Sequence, residues 1–178
     1  MTITVGTDTY ITVADADTYV SLNRLSTDDQ REAWDKLATA DKEILLRQAT
    51  AAIERIRFPG IKQDNDQTLS FPRYALPPTP KRRRPESSFY NDEWLNDTEV
   101  PDNVISAEVE EALELGSPGA DSKRFDVMRG PVESYKIGQL SENFRLRSSS
   151  GNSVETILRS RRAQELLSLQ AGGSYSVY

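Results

Sequence analysis

Apolar positions along the chain fall into a few helical stripes separated by long polar stretches. The longest periodic run is Thr39 to Gly60, TADKEILLRQATAAIERIRFPG. Thr39 stands where it can cap a first turn, and Asp41 and Glu43 place negative charge at the positive end of the helix dipole. Leu45, Ala49, Ala52, Ile53 and Ile56 recur at helical spacing and form one apolar stripe. Arg55 and Arg57 suit the C-terminal end, and Pro59-Gly60 stops the helix. This run is the expected spine of the core.

Weaker patterns flank it. Ile3, Val5 and Ile11 alternate among threonines, so Ile3 to Val5 reads as a short strand or an extended arm. Thr12 followed by Asp15 is a capping signal that opens a helix from Val13 to Leu25, with Ala16, Tyr19, Val20 and Asn23 inward. Ser26 to Leu37 is a short helix, capped by Ser26 or Thr27 and pinned to the spine by Trp34 and Leu37. Three helices joined by short turns make a compact helical unit. Ile61 to Tyr74 is polar, with Leu69 and Phe71 as anchors before Pro72, and is expected to wrap irregularly over the helices.

Leu76 to Pro101 is a long segment rich in proline and charge without helical periodicity. Phe89, Tyr90, Trp94 and Leu95 are apolar for a free loop and suit folding back or plugging into a neighbouring copy. Asn103 to Leu115 restarts a helix, with Ile105, Val109, Ala112 and Leu113 on one face, and Gly116 to Gly119 end it. Val132 to Ile137 is strand-like, and Gly138-Gln139 can turn it back toward Phe144 and Leu146. A last helix spans Ser153 to Leu169, using Val154, Ile157, Leu158, Leu166 and Leu167.

The expected fold is therefore mainly α: a small helical bundle with long extended loops, a short β-hairpin or ribbon near 125–147, and a C-terminal helix with a tail. All of it fits one domain. Its parts are an arm (1–12), a helical core (13–75), a basic proline-rich loop (76–101), a helix (102–117), a ribbon (123–150), a helix (153–170) and a tail (171–178).

Composition narrows the chemistry. The 178 residues include no cysteine and no histidine. Disulfides, thiolate nucleophiles, Cys/His zinc sites and imidazole catalysis are excluded. No apolar run approaches the roughly 20 residues that cross a bilayer, and no secretory signal is visible, so the expected setting is a cytoplasm, or a particle assembled in one, without membrane partners. The net charge of −6 is unevenly spread: residues 1–122 hold 13 basic and 23 acidic side chains, residues 123–178 hold 9 and 5. Opposed halves of this kind suit head-to-tail packing between copies.

Candidate sites are sparse. Glycine-rich phosphate loops are absent. Asp64-Asn65-Asp66 has the outline of a calcium loop but lacks its glycine and terminal glutamate, so it reads as a polar turn. Asp15 and Asp17, like Glu108, Glu110, Glu111 and Glu114, could supply paired carboxylates, but they read as solvated helix faces. No cofactor, metal or enzymatic activity is expected. The sharpest charge run is Lys81-Arg82-Arg83-Arg84, held extended between Pro80 and Pro85. With Phe89, Tyr90 and Trp94 nearby it can grip a phosphate backbone and stack on bases, or dock on an acidic protein face.

The order of motifs also carries a resemblance. TYITVADADTYV, a helix with Ala33-Trp34, a longer helix ending in FPG, then DQTLSFPR, VPDNVISAEVEEALEL and VESYKIGQLSENFR follow one another. This order resembles the small head–tail connector (adaptor) proteins of long-tailed bacteriophages, some of which carry the label "putative DnaT-like single-stranded DNA-binding protein". Val132, Ser134, Lys136, Ile137, Gly138 and Ser141 match that group's V-x-S-x-K-I-G-x-x-S element. The resemblance implies a non-enzymatic virion protein assembled in the host cytoplasm. It would form a homo-oligomeric ring, commonly a dodecamer, beneath the portal protein, with a downstream neck or tail-completion protein below and genomic double-stranded DNA passing through its lumen. It further implies portal contacts from the C-terminal helix and tail, here Leu166, Leu167, Tyr175, Val177 and Tyr178. Phe89, Tyr90, Trp94, Val132, Tyr135 and Ile137 would then lie between subunits. The alternative function is single-stranded DNA binding or a primosome-like accessory role through Lys81 to Arg84.

Overall fold

In the computed structural model the described residues are 3–58, 60–74, 98–117, 134–137, 140–143 and 157–168. Their element order is α1 (Val13–Asn23), α2 (Asp29–Asp35), α3 (Thr39–Ile53), β1 (Ile61–Lys62), β2 (Arg73–Tyr74), α4 (Asp102–Gly116), β3 (Ser134–Ile137), β4 (Leu140–Asn143) and α5 (Arg161–Ser168). The fold is mainly helical, as the periodicity indicates.

Local chemistry sets the helix ends. Thr12 caps α1: its Oγ1 accepts from Asp15 N at 3.1 Å, and the hydroxyl donates to Asp15 Oδ2 at 2.6 Å. The helix stops at Asn23 rather than Leu25, because Arg24 turns to extended backbone and sends its guanidinium inward. Asn23 itself is exposed, not part of the inner face. α2 begins later than the sequence suggests, because Asp28, not Ser26 or Thr27, accepts from Gln30 N and Arg31 N at 2.9 and 3.3 Å. α3 has Thr39 inside its first turn and no side-chain cap at Ala38. It ends at Ile53, where Glu54 leaves the helix, and Ile56 is reached through a tight turn. Gly60 has φ +86°, which favours glycine.

Two apolar clusters make the core. One gathers Tyr10, Ile53, Ile56, Phe58, Leu69, Phe71, Val104 and Ala107 with Leu158, Ala163 and Leu167 from the C-terminal segment. The other gathers Ile11, Ala16, Val20, Trp34, Leu46 and Ala49 with Val109, Ala112 and Leu113. Helices α3 and α4 contribute to both, yet the two differ in burial. α3 is exposed along Asp41, Ile44, Gln48 and Ala51, whereas α4 is buried on nearly every side from Ala107 to Glu114. The centre of the fold is therefore α4, which packs on α1, α2, α3 and α5, and not the Thr39–Gly60 run. Within α3 the fully buried residues are Leu46, Ala49 and Ile53; Leu45 and Ala52 lie at the edge of that stripe.

Gly116, expected only as a stop, is the last residue of α4 and sits against α3: a Cβ there would meet Leu45 Cδ1 at 2.7 Å. The glycine permits this close approach. Residues 61–74 form a loop closed by the antiparallel pairs Ile61–Tyr74 and Lys62–Arg73, more regular than an irregular wrap. Leu69 and Phe71 anchor it, each 4 % exposed, and the Phe71–Pro72 peptide is cis. Strands β3 and β4 pair antiparallel from Ser134–Asn143 to Ile137–Leu140, giving the expected hairpin near 125–147. Within the expected C-terminal helix of 153–170 the described residues 157–168 contain a break. Residues 158–160 leave helical geometry, Leu158 is buried, and α5 starts at Arg161. The Leu76–Pro101 loop up to residue 97, the tail from 169 onward, and residues 118–133 lie outside the described residues.

Candidate functional site

The four glutamates of α4 are not a solvated face. Glu108, Glu110, Glu111 and Glu114 are buried, at 0, 2, 1 and 6 % exposure. Each accepts from an element distant in sequence, which offsets the cost of removing a carboxylate from water. Glu108 Oε2 accepts from Tyr10 N at 2.9 Å and fixes the N-terminal segment. Glu110 takes the Arg24 guanidinium on Oε2, and on Oε1 the Tyr19 hydroxyl at 3.2 Å and Arg162 Nη1 at 3.4 Å. Glu111 receives Arg159 N at 3.0 Å and Ser160 N at 2.8 Å, holding the turn before α5. Gln30 Nε2 donates to Glu114 Oε2 at 2.6 Å and ties in α2. One helix thus fastens both terminal segments and α2 by side chains.

Sequence reasoning missed this arrangement because its partners lie far along the chain. A signal existed: between Asp102 and Gly116 there is no lysine or arginine. A solvated acidic helix usually offsets its carboxylates with cations three or four residues away. Four glutamates with no cation on their own helix, interleaved with Val109, Ala112 and Leu113, point instead to partners on other elements.

Glu108 has a hydrogen-bond geometry that bears on its charge state. Thr50 Oγ1 lies 2.8 Å from Glu108 Oε1 and 2.9 Å from the Leu46 carbonyl oxygen, but a hydroxyl has one hydrogen. Both contacts are bonds when Glu108 is a neutral acid that donates to Thr50 while Thr50 donates to Leu46. Burial pushes the Glu108 carboxyl up to about 8, opposed by the bonds from Thr50 and Tyr10 N. Burial also raises Glu111, against the Arg159 and Ser160 amides.

The sign of the pH effect follows. Between about pH 4.5, where an unfolded glutamate titrates, and about pH 8, the folded chain holds a proton on Glu108 that the unfolded chain has released. Stability from this group is therefore full at low pH and is lost as pH rises to about 8. Glu108→Gln reproduces the neutral acid's donor and acceptor. Urea unfolding is expected to show wild type and variant nearly equal at about pH 5, with the variant gaining progressively toward pH 8. Parallel stability curves would show that Glu108 is ionised in the fold.

A second polar cluster joins Tyr10, Glu54 and Ser70. The Tyr10 hydroxyl donates to Glu54 Oε1, Ser70 N donates to the same oxygen at 3.0 Å, and Ser70 Oγ donates to Glu54 Oε2 at 2.8 Å. Burial and the Glu54 carboxylate raise the Tyr10 hydroxyl well above the usual phenol range, so it is a structural donor at any ordinary pH. An open groove of about 560 Å³ lies beside Glu110, lined by Tyr19, Asn23, Asn103, Arg162, Glu165 and Leu166.

The other sequence candidates resolve as follows. Asp17 Oδ1 accepts from Trp34 Nε1 at 2.7 Å and Lys42 Nζ at 2.8 Å, clamping α1 to α2 and α3, while Asp15 serves the α1 cap. These two do not form a carboxylate pair. Asp64 Oδ1 accepts from Asp66 N at 3.0 Å in an exposed turn, and no acidic cluster suited to a metal occurs among the described residues. Leu167 is fully buried and Leu166 packs against the same core cluster, so their apolar surface serves this chain's own fold. Tyr135 and Ile137 lie on β3. Lys81 to Arg84, Phe89, Tyr90, Trp94, Val132, Tyr175, Val177 and Tyr178 lie outside the described residues.

The aromatic inventory bears on nucleic-acid binding. Tyr10, Trp34, Phe58 and Phe71 are buried, and the large apolar side chains exposed among the described residues are all aliphatic. The helical core spends its rings on packing, as in the edge-on contact of Phe58 with Phe71 at 4.7 Å between centroids. Tyr19 is half-buried and lines the groove beside Arg162.

A family model described as "Putative DnaT-like ssDNA binding protein" matches residues 1–177. The chain belongs to this family. The match spans the basic segment and both termini as well as the helical core. No curated protein and no solved structure matches the chain. Among the described residues of this DnaT-like family member, no helix is long and apolar enough to cross a membrane.

Proposed function

We propose that this protein is a non-enzymatic, DNA-associated protein that binds single-stranded DNA through the Lys81–Arg84 segment. Membership of the DnaT-like family over residues 1–177 carries the reading. Chemistry supports it: four adjacent cations bracketed by prolines track a phosphate backbone, and Phe89, Tyr90 and Trp94 follow within stacking reach along the chain. Tyr10, Trp34, Phe58 and Phe71 are buried in the core and offer no stacking face. Fluorescence anisotropy of a labelled oligothymidylate at low salt tests it. Binding is expected for the full chain, with duplex DNA of equal length a weak competitor. Absence of binding at low salt would end the reading.

The second reading is a virion head–tail adaptor, with the chain forming a ring under a portal protein. It is favoured by the motif order from TYITVADADTYV to VESYKIGQLSENFR and by the split between an acidic first part and a basic last part. Neither feature requires free single-stranded DNA. Detection of the protein at fixed copy number in purified particles would favour the adaptor over the accessory factor.

A further inference from the structure

We propose that the groove between α1, α4 and α5 takes one unpaired nucleobase of a single strand, a contact separate from the cationic run at 81–84. It rests on the single-stranded DNA reading and adds to it a site within the helical core. The groove holds about 560 Å³, within the range of roughly 300–1,000 Å³ for small-ligand clefts.

Charge decides what kind of group fits. The charged side chains around the groove answer one another: Glu110 takes Arg24 and Arg162, and Glu165 takes Arg161 Nε at 3.1 Å. With its ion pairs closed in this way the groove gives a phosphate little net attraction and suits a neutral group with a polar edge. The remaining hydrogen-bonding capacity matches such an edge. Asn103 is half-buried, and its side-chain amide has no partner among the described residues. Arg162 is 57 % exposed and commits Nη1 to Glu110 at 3.4 Å, which leaves guanidinium N–H groups for a base carbonyl or ring nitrogen.

Tyr19 and Leu166, both half-buried, supply the apolar wall. The Tyr19 side chain is held at both ends, by its place on α1 and by its hydroxyl, which donates to Glu110 Oε1 at 3.2 Å. An aromatic ring already fixed in place loses little freedom when a base stacks on it, and such stacking tolerates any base. In a duplex the bases are paired along their edges and stacked on both faces, so the groove selects single strands.

Anisotropy of a labelled oligothymidylate with the full chain, over a salt series, tests the groove, with thermal unfolding of each variant as the control for folding. Tyr19→Ala is expected to weaken affinity about 10-fold, as for the loss of one stacked base, and to leave the slope of log affinity against log salt unchanged. Tyr19→Phe keeps the ring and is expected to bind within about 2-fold of wild type. Should Tyr19→Ala fail to fold, Asn103→Ala decides, with a loss of at least about 3-fold expected. If wild type binds no oligothymidylate, the DNA reading and the groove contact fall together. If wild type binds and a folded Tyr19→Ala matches it or changes the salt slope, or Tyr19→Phe loses as much as Tyr19→Ala, the groove contact alone is overturned.

Discussion

Replacing Glu110 by alanine is expected to cost about 3–5 kcal/mol, the range for removing one partner of a buried ion pair. The loss comes less from the bond itself than from what remains. Arg24 would keep a charged side chain only 12 % exposed, with Asp28 as its remaining ion-pair partner and, among the described residues, no acceptor for its buried Nε. Arg162 and the Tyr19 hydroxyl lose a partner at the same time. Arg162 is 57 % exposed and regains water, so it adds little. Urea unfolding checks this, and the double variant Arg24→Ala with Glu110→Ala should lose less than the sum of the two single changes. Simple additivity would mean that the pair does not act as a unit.

Ile53→Asp should be more damaging and leave no cooperative unfolding transition. Ile53 is fully buried among Tyr10, Ile56, Phe71 and Val104. Glu108 shows what an acidic side chain needs to survive at this depth: a backbone amide, a hydroxyl and the option of remaining neutral. Position 53 faces an apolar cluster, so a carboxylate there is left without compensation, at a cost of several kcal/mol against a total stability of about 5–15. Circular dichroism with a denaturant titration checks it. A cooperative transition near that of wild type would show that the α3–α4 packing is loose.

These two outcomes separate what the sequence made legible from what it hid. The apolar stripes of α1, α3 and α4 were readable because periodicity records which residues face a core, and Thr12, Trp34, Leu69 and Phe71 fall where their chemistry places them. Periodicity does not record what stands on the opposite face. In sequence α4 reads as one-sided, because a glutamate in a helix looks the same whether it meets water or Arg24 across 86 residues of chain. Burial all round α4 therefore leaves no mark in its periodicity, whereas the longer stripe of α3 does. The break at residues 158–160 was hidden for a related reason. The carboxylate that satisfies Arg159 N and Ser160 N belongs to Glu111, 48 and 49 residues away. Along the sequence Leu158, Ala163 and Leu167 simply continue a helical spacing.

Tyr10, Trp34, Phe58, Phe71 and the four glutamates of α4 are committed to internal contacts, while the proposed DNA contact rests on the cationic run at 81–84. The most direct measurement is the salt dependence of oligothymidylate affinity for wild type and for the variant with Lys81, Arg82, Arg83 and Arg84 all changed to alanine. Single-stranded DNA releases about 0.7 counterion per phosphate contact, so four cations contribute about −3 to the slope of log affinity against log salt. The account predicts that the quadruple variant stays folded and shows a slope shallower by about that amount, with affinity falling most at low salt. Equal slopes for the two folded proteins would contradict it.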